Sequence, residues 1–157
     1  MPKTGELYDQ DFFLWTQQQA AALRRAQASN LPLDWENLAK EIESLGKSDR
    51  RELASQVTRI LRHLLKLTIS PAAEPRAGWR SSVNEARSQI ELLLEGSPSL
   101  RREVDSSIQK QVRAAAKLAA ADLEQHREPA EVIRVQLEQV GFTAEQVLGD
   151  WFPDTHA

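Results

Sequence analysis

The sequence predicts an all-α protein, a helical bundle or array of about six helices followed by a short C-terminal helix. Ala and Leu number twenty each, against eight Val and six Ile, and unbranched side chains favour helices over strands. Apolar residues recur at helical spacing, and nearly every Gly and Pro falls between such stretches. With 157 residues and 41% hydrophobic content, the chain suits a single domain, predicted at 8–153 between short tails at 1–7 and 154–157.

The first three helices are delimited by capping residues and by proline. Asp9 is a good N-cap for the first helix, and Gly46 occupies the left-handed position that glycine favours at a helix C-terminus. Leu38, Ile42 and Leu45 give the second helix its apolar stripe, together with Trp35. These helices are predicted from Asp9 to Asn30, from Asp34 to Gly46, and from Ser48 to about Ser70.

The remaining helices follow a loop predicted at 71–78, which contains two prolines and one glycine. Ser97 as N-cap and Pro98 at the first helical position predict the start of the fifth helix. Thr143 and Gln146 predict a capping box at the start of a short final helix. The fourth, fifth and sixth helices are predicted at 79–96, 98–125 and 129–140.

Absent features narrow the function classes. The chain has no cysteine, no stretch typical of a signal peptide, and no apolar run that approaches the roughly 18 residues of a membrane span. We therefore expect a cytoplasmic protein without disulfides and without a membrane partner.

Catalytic motifs are also absent. The sequence contains no GxxxxGK[ST], GxGxxG, GxSxG or HExxH pattern. A di-iron bundle needs Glu-x-x-His, yet none of His63, His126 and His156 has an acidic residue three positions earlier. The prediction is therefore no catalytic residue, no cofactor and no metal, with His126 and His156 as exposed surface histidines.

One row of cations is the strongest candidate binding feature. Arg59, Arg62, His63 and Lys66 lie at i, i+3, i+4 and i+7 of the third helix, opposite its apolar arc. They could bind an anion, a nucleic-acid backbone or an acidic partner, or simply form the solvated side of a core helix. Arg80, with Arg59 and His63, could also line a small-ligand or enzymatic pocket.

The net charge of −3 conceals strong segregation along the chain. By segment, the charge is −3 for 1–46, +5 for 47–80, 0 for 81–127 and −5 for 128–157. The acidic termini are therefore expected to cover the basic helix, either within one chain or head-to-tail between subunits. Both arrangements make nucleic-acid binding less favoured.

Five blocks of sequence carry a family resemblance. Over about Tyr8 to Pro153 the chain resembles the bacterial domain-of-unknown-function family twenty-nine, which is abundant in cyanobacteria. The resemblance implies an all-helical fold and brings no activity, cofactor or catalytic residue. Lys40 departs from a usual acidic residue and Leu67 from a common aromatic one. The blocks are YDQDFFLWTQQQAAALR, LDWENLAKEIESLG, RHLLKL, GWRSSVNEARSQIELLLEGSPSLR and FTAEQVLGDWFP.

The sequence therefore leads to three hypotheses of function. The first is a non-catalytic protein that acts through protein contacts, as a homodimer or as a regulatory partner. The second is nucleic-acid or anion binding through the basic face of the third helix. The third is an unrecognised small-ligand or enzymatic site near His63.

Overall fold

The computed structural model describes residues 4–28, 30–125, 135 and 139–153, which contain helices, turns and no strand. The prediction of an all-α fold is confirmed. Most of the sixth predicted helix lies outside the described residues. His126 and His156 also lie outside them. The α-helices are α1 (Thr4–Gln10), α2 (Phe12–Arg25), α3 (Trp35–Ile69), α4 (Arg76–Gly96), α5 (Val104–Gln125) and α6 (Ala144–Leu148).

Two compact units divide the chain. The first comprises Met1–Glu52 and Leu92–Arg102, and the second Leu53–Glu91 and Glu103–Ala157. The single domain expected at 8–153 stays a prediction. The short tails expected at 1–7 and 154–157 also stay predictions. Within the described residues, α1 begins at Thr4 and Leu7 is buried.

Helix α3 runs without a break through the position where we predicted a helix end at Gly46. Gly46 is buried within the helix, and a Cβ there would collide with Thr16 Oγ1 of α2. Thr16 is itself fully buried and donates its hydroxyl to Phe13 O at 2.7 Å. The prediction was wrong because this glycine permits close packing of α2 and does not end a helix.

The start of α2 is held by a second segment of the same unit. The N-cap is Asp11 and not the predicted Asp9, and its carboxylate accepts from Leu14 N. The Asp11 carboxylate also accepts from Ser99 N at 2.7 Å and from Ser99 Oγ at 2.8 Å. In return, Ser97 Oγ accepts from Phe13 N at 3.0 Å. Each segment thus satisfies a backbone N–H that the other exposes at its start.

The predicted fifth helix begins differently from the expectation. A 3₁₀ segment, Pro98–Glu103, precedes α5 at Val104. The hydroxyl of Ser97 does not cap this segment, because it donates to Asp49 and accepts from α2. The expected role of Ser97 as a local N-cap was therefore wrong, since a distant partner takes the side chain.

The second unit has its core along α3. All the apolar residues that the helical spacing assigned to one arc of α3 are fully or almost fully buried. Helices α4 and α5 contribute a stripe each. The α3 residues are Leu53, Val57, Ile60, Leu61, Leu64, Leu65 and Leu67, and their counterparts are Val83, Ala86, Ile90, Val104, Ile108, Ala115, Ala119 and Leu123.

Candidate functional site

The predicted basic row lies in the second unit, and two of its cations share one carboxylate. Asp122 on α5 accepts from Arg62 Nε and from Arg62 Nη2, each at 2.6 Å, so the pair is bidentate. Lys66 Nζ lies 3.0 Å from Asp122 Oδ2, the oxygen that also accepts from Arg62 Nε. We call Arg62, Lys66 and Asp122 the ionic triad.

Lys66 occupies the interior and not a solvated helix face. The residue is only 5% exposed, and its ammonium lies 4.9 Å from the ring centroid of Trp79 on α4. Burial lowers the pKa of Lys66, although the hydrogen bond to Asp122 opposes this effect. The lysine is therefore sealed by an aromatic ring and a carboxylate.

Arg62 and Lys66 together have a larger effect than burial on the pKa of Asp122. Burial alone would raise the pKa of Asp122, but the hydrogen bonds and charges of Arg62 and Lys66 lower it to about 2. The same hydrogen bond raises the pKa of Arg62 against the effect of burial. The three groups consequently form one ion-paired cluster and satisfy one another.

His63 is neutral at physiological pH. Burial, followed by the charges of Lys66 and Arg62, lowers the pKa of this imidazole to about 4. Its Nδ1 is buried and has no hydrogen-bond partner among the described residues. His63 therefore adds no positive charge to the predicted row.

The remaining arginine of the row, Arg59, is neutralised by a carboxylate from another helix. Its guanidinium donates to Glu85 of α4 at 2.8 Å, in a pair whose side chains are 38% and 64% exposed. Glu85 and Asp122 both belong to the segment whose net charge is zero. The acidic termini, which we expected to cover the row, do not supply these carboxylates.

Arg80 on α4 has a different neighbour from the residues of the triad. Its guanidinium lies 5.5 Å from the ring centroid of Phe152, and its Nε is buried without a partner among the described residues. An open depression of about 650 Å³ lies along this face of α4. Of Arg59, His63 and Arg80, which were expected to line a pocket together, Arg80 alone lines this depression. The lining residues are Arg76, Ala77, Arg80, Ser81, Asn84, Glu85 and Ser88.

Sequence reasoning missed Arg87, which is 8% exposed and attaches the C-terminal segment to α4. Its guanidinium donates to the carbonyls of Val147, Gln146 and Trp151 at 2.9, 2.8 and 2.6 Å. It also lies 4.7 Å from the ring centroid of Phe152, and burial lowers its pKa. A signal was available, because position 87 falls on the apolar stripe of α4.

The capping box predicted at the start of α6 is confirmed. Thr143 Oγ1 accepts from Gln146 N at 3.2 Å, and Gln146 Oε1 accepts from Thr143 N at 3.0 Å. Arg87 therefore binds carbonyls at and beyond the C-terminal end of α6, while the capping box closes its N-terminal end.

The described residues were also compared with the requirements of metal sites and membrane-spanning helices. Within 4–28, 30–125 and 139–153, no three His, Asp or Glu side chains are grouped closely enough to hold a metal ion. None of the helices there combines the length and the apolar character that crossing a membrane requires. The protein is thus an all-α chain in which carboxylates of α4 and α5 pair with the arginines and the lysine of the predicted row on α3.

Comparison with known proteins assigns a family. Residues 7–152 match the family described as Domain of unknown function DUF29, and the chain belongs to it. Among solved structures, it is similar to an alpha-helical protein of unknown function from Rhodospirillum rubrum. The identity is 33% and the TM-score 0.65, over 90% of this chain and 88% of that chain. Among curated proteins, none matches.

Proposed function

We propose that the protein is a non-catalytic cytoplasmic protein that acts by binding other protein chains. The observation that carries this proposal is a set of exposed leucines in the first unit. Leu31, Leu33, Leu38 and Leu45 are 60%, 50%, 41% and 51% exposed, and we call these four residues the leucine surface. Apolar groups that adjoin one another on a surface are typical of contact sites, and Leu38 and Leu45 lie seven residues apart on one face of α3.

The helical part of the leucine surface has the spacing of a packing seam. Leu38 and Leu45 lie two turns apart on α3, and the half-buried Trp35 and Ile42 continue the pattern. The sequence pattern predicts all four as one apolar stripe. Two of them remain exposed, so part of the stripe is available to another chain.

The cations argue against nucleic-acid binding. Arg59, Arg62 and Lys66 each have a carboxylate within 3.0 Å, and His63 is neutral at pH 7. A phosphate backbone would have to compete with these internal partners. Protein contact through the leucine surface requires no such exchange.

The test is retention of a partner by the immobilised 157-residue chain. The wild type is compared with Leu38→Glu/Leu45→Glu in a nuclease-treated lysate of the source organism, with light scattering to measure self-association. Leu118→Glu is the matched control, because Leu118 is also 41% exposed. We expect a partner, or a dimer, that is lost in the double variant and kept in the control. A monomer with no partner that depends on Leu38 and Leu45 would contradict the proposal.

Anion binding at Arg80 is the second candidate. Of the four Arg and Lys residues predicted as a site, Arg80 alone has no carboxylate within 4 Å among the described residues. Ser81 and Asn84 flank it in the depression and could donate hydrogen bonds. Calorimetry with inorganic phosphate would show binding that Arg80→Gln removes; equal heats for both proteins would exclude it.

A further inference from the structure

We propose that the depression on α4 binds a phosphate group through Arg80, Ser81 and Asn84, and that this binding stabilises the C-terminal segment on α4. The C-terminal segment comprises residues 143–153. The inference rests on the anion binding proposed for Arg80. It adds the donors that select phosphate and a consequence for the C-terminal segment.

Three hydrogen-bonding side chains are neighbours on the surface of α4. Asn84 lies four residues after Arg80 and three after Ser81, which are the separations at which side chains on a helix adjoin. All three line the depression, and Ser81 and Asn84 are exposed. Arg80 Nε is buried without an acceptor among the described residues, and the side chains of Ser81 and Asn84 have no hydrogen-bond partner there. The three side chains therefore offer N–H and O–H groups to one ligand.

The depression is positively charged. Arg76 and Arg80 line it one turn apart, and Arg76 donates to two backbone carbonyls at the C-terminal end of α3. Within the described residues, neither arginine forms an ion pair with a carboxylate. Glu85 also lines the depression, but it accepts from Arg59 at 2.8 Å, so its charge is balanced. The depression therefore attracts an anion.

A phosphate group matches these donors better than a carboxylate does. Its terminal oxygens outnumber those of a carboxylate, so it can accept from the guanidinium, the hydroxyl and the amide at the same time. Ser88 is exposed, lies one turn beyond Asn84 and lines the same depression. A phosphate monoester with a hydroxylated group can therefore extend along α4 from Arg80 toward Ser88. Free phosphate and such a monoester share the chemistry that the depression recognises.

One aromatic ring connects this site to the C-terminal segment. The guanidinium of Arg80 lies 5.5 Å from the ring centroid of Phe152, and that of Arg87 lies 4.7 Å from the same centroid. An aromatic ring attracts cations through its quadrupole but has no net charge. Two positive charges consequently meet at one ring, and neither is ion-paired in the part of the chain that the structure describes. Their mutual repulsion opposes this arrangement.

An anion on Arg80 relieves the repulsion. Arg87 is 8% exposed, and its three hydrogen bonds to carbonyls hold the C-terminal segment. Burial lowers the pKa of Arg87, although the charge of Asp150 opposes this effect. A phosphate bound to Arg80 brings negative charge to the ring that both arginines contact. Because coupling between two sites is reciprocal, the bound phosphate and the attached segment should stabilise each other.

Calorimetry with the 157-residue chain measures affinity at constant ionic strength. The probes are inorganic phosphate, glycerol phosphate and acetate. The variants are Arg80→Gln, Asn84→Ala and Phe152→Leu. Arg113→Gln is the matched control, because it removes an exposed arginine of α5 that has no ion pair among the described residues. Hydrogen exchange of residues 144–151 is followed with and without phosphate.

We expect phosphate or glycerol phosphate to bind the wild type about tenfold or more tightly than acetate. Arg80→Gln should weaken this binding about tenfold or more, and Asn84→Ala about threefold. Arg113→Gln should change it less than about twofold, because a distant exposed charge is screened. Tighter binding of glycerol phosphate would identify a monoester as the source of the phosphate group, and tighter binding of inorganic phosphate would identify the free anion.

The exchange measurement tests the connection to the C-terminal segment. At ten times its dissociation constant, phosphate should slow the exchange of residues 144–151 about threefold or more, with little change in α2. In Phe152→Leu, phosphate should still bind but should no longer slow this exchange, because the shared ring is lost.

The inference is overturned if acetate binds as tightly as phosphate, or if bound phosphate leaves the exchange of residues 144–151 unchanged in the wild type. When either result accompanies binding that Arg80→Gln removes, the anion binding proposed for Arg80 stands and only the further inference fails. If no probe binds, or if Arg80→Gln binds phosphate as tightly as the wild type, both fail together.

Discussion

Asp122 accepts two parallel hydrogen bonds from the guanidinium of Arg62, each 2.6 Å long, although sixty positions separate them in the sequence. The same carboxylate contacts Lys66, which is buried. Two cations on α3 therefore depend on one anion on α5, and this dependence makes the contribution of Asp122 measurable.

Asp122→Asn should be strongly destabilising. The change leaves Lys66 and Arg62 charged beside a neutral amide, and an unmatched buried charge costs about 3 kcal/mol or more. Urea unfolding at pH 7 measures the loss. Glu85→Gln is the control, because it breaks the exposed pair with Arg59 and should cost less than about 1 kcal/mol. Similar losses for both variants would contradict an internal role for the triad.

His63 should make stability depend on pH between about 4 and 6.5. The pKa of His63 is about 4 in the folded protein, below its ordinary value of 6.5, so in this interval the unfolded chain binds the additional proton. Stability is fully present above pH 6.5 and falls as the pH decreases toward 4. After allowance for partial exposure, the change is about 2 kcal/mol.

Denaturation midpoints measured across this interval test the prediction. His63→Asn removes the titrating group and should flatten the slope, while the contribution of Asp122 persists. Because the pKa of Asp122 is lowered to about 2, its contribution is present above pH 4 and is lost only as the pH falls toward 2. An unchanged slope in His63→Asn would assign the pH dependence to other groups.

Gly46→Ala should destabilise the protein, against the usual effect of alanine in a helix. The new Cβ collides with Thr16 Oγ1 and lies 3.4 Å from Phe13 Cδ2, so we expect a loss of about 1–3 kcal/mol. Gly78→Ala in α4 is the matched control, since a Cβ there meets nothing within 4 Å. It should gain up to about 1 kcal/mol. Thermal unfolding compares the two, and a stabilised Gly46→Ala would exclude close packing at this position.

Arg87→Lys should release the segment that contains α6 while preserving the charge. Lysine lacks the planar fork that reaches three carbonyls, and each hydrogen bond to a charged group contributes about 1.5–3 kcal/mol. Hydrogen exchange of residues 144–151 should accelerate, with little change in α2. Arg80→Lys is the control, because it leaves those hydrogen bonds in place. Uniform acceleration across both units would indicate global destabilisation instead.

Local and distant determinants explain which features the sequence predicted. The capping box of Thr143 and Gln146 involves residues three apart, so its pattern was sufficient. Gly46 was misread because its function depends on Thr16, which lies thirty positions earlier. The partners of Arg62 and Lys66 could not be identified from the charges of whole segments, since Asp122 lies in a segment whose net charge is zero. Spacing alone cannot specify such pairs.

The reciprocal hydrogen bonds between the start of α2 and residues 97–99 span 84 and 88 positions of the chain. During synthesis, α2 would leave the ribosome long before Ser97 and Ser99 exist, so its first turn lacks these partners until both serines have been made. A fragment ending near residue 91 should therefore not reproduce the first unit. This contact makes completion of the earliest helices a late event in folding.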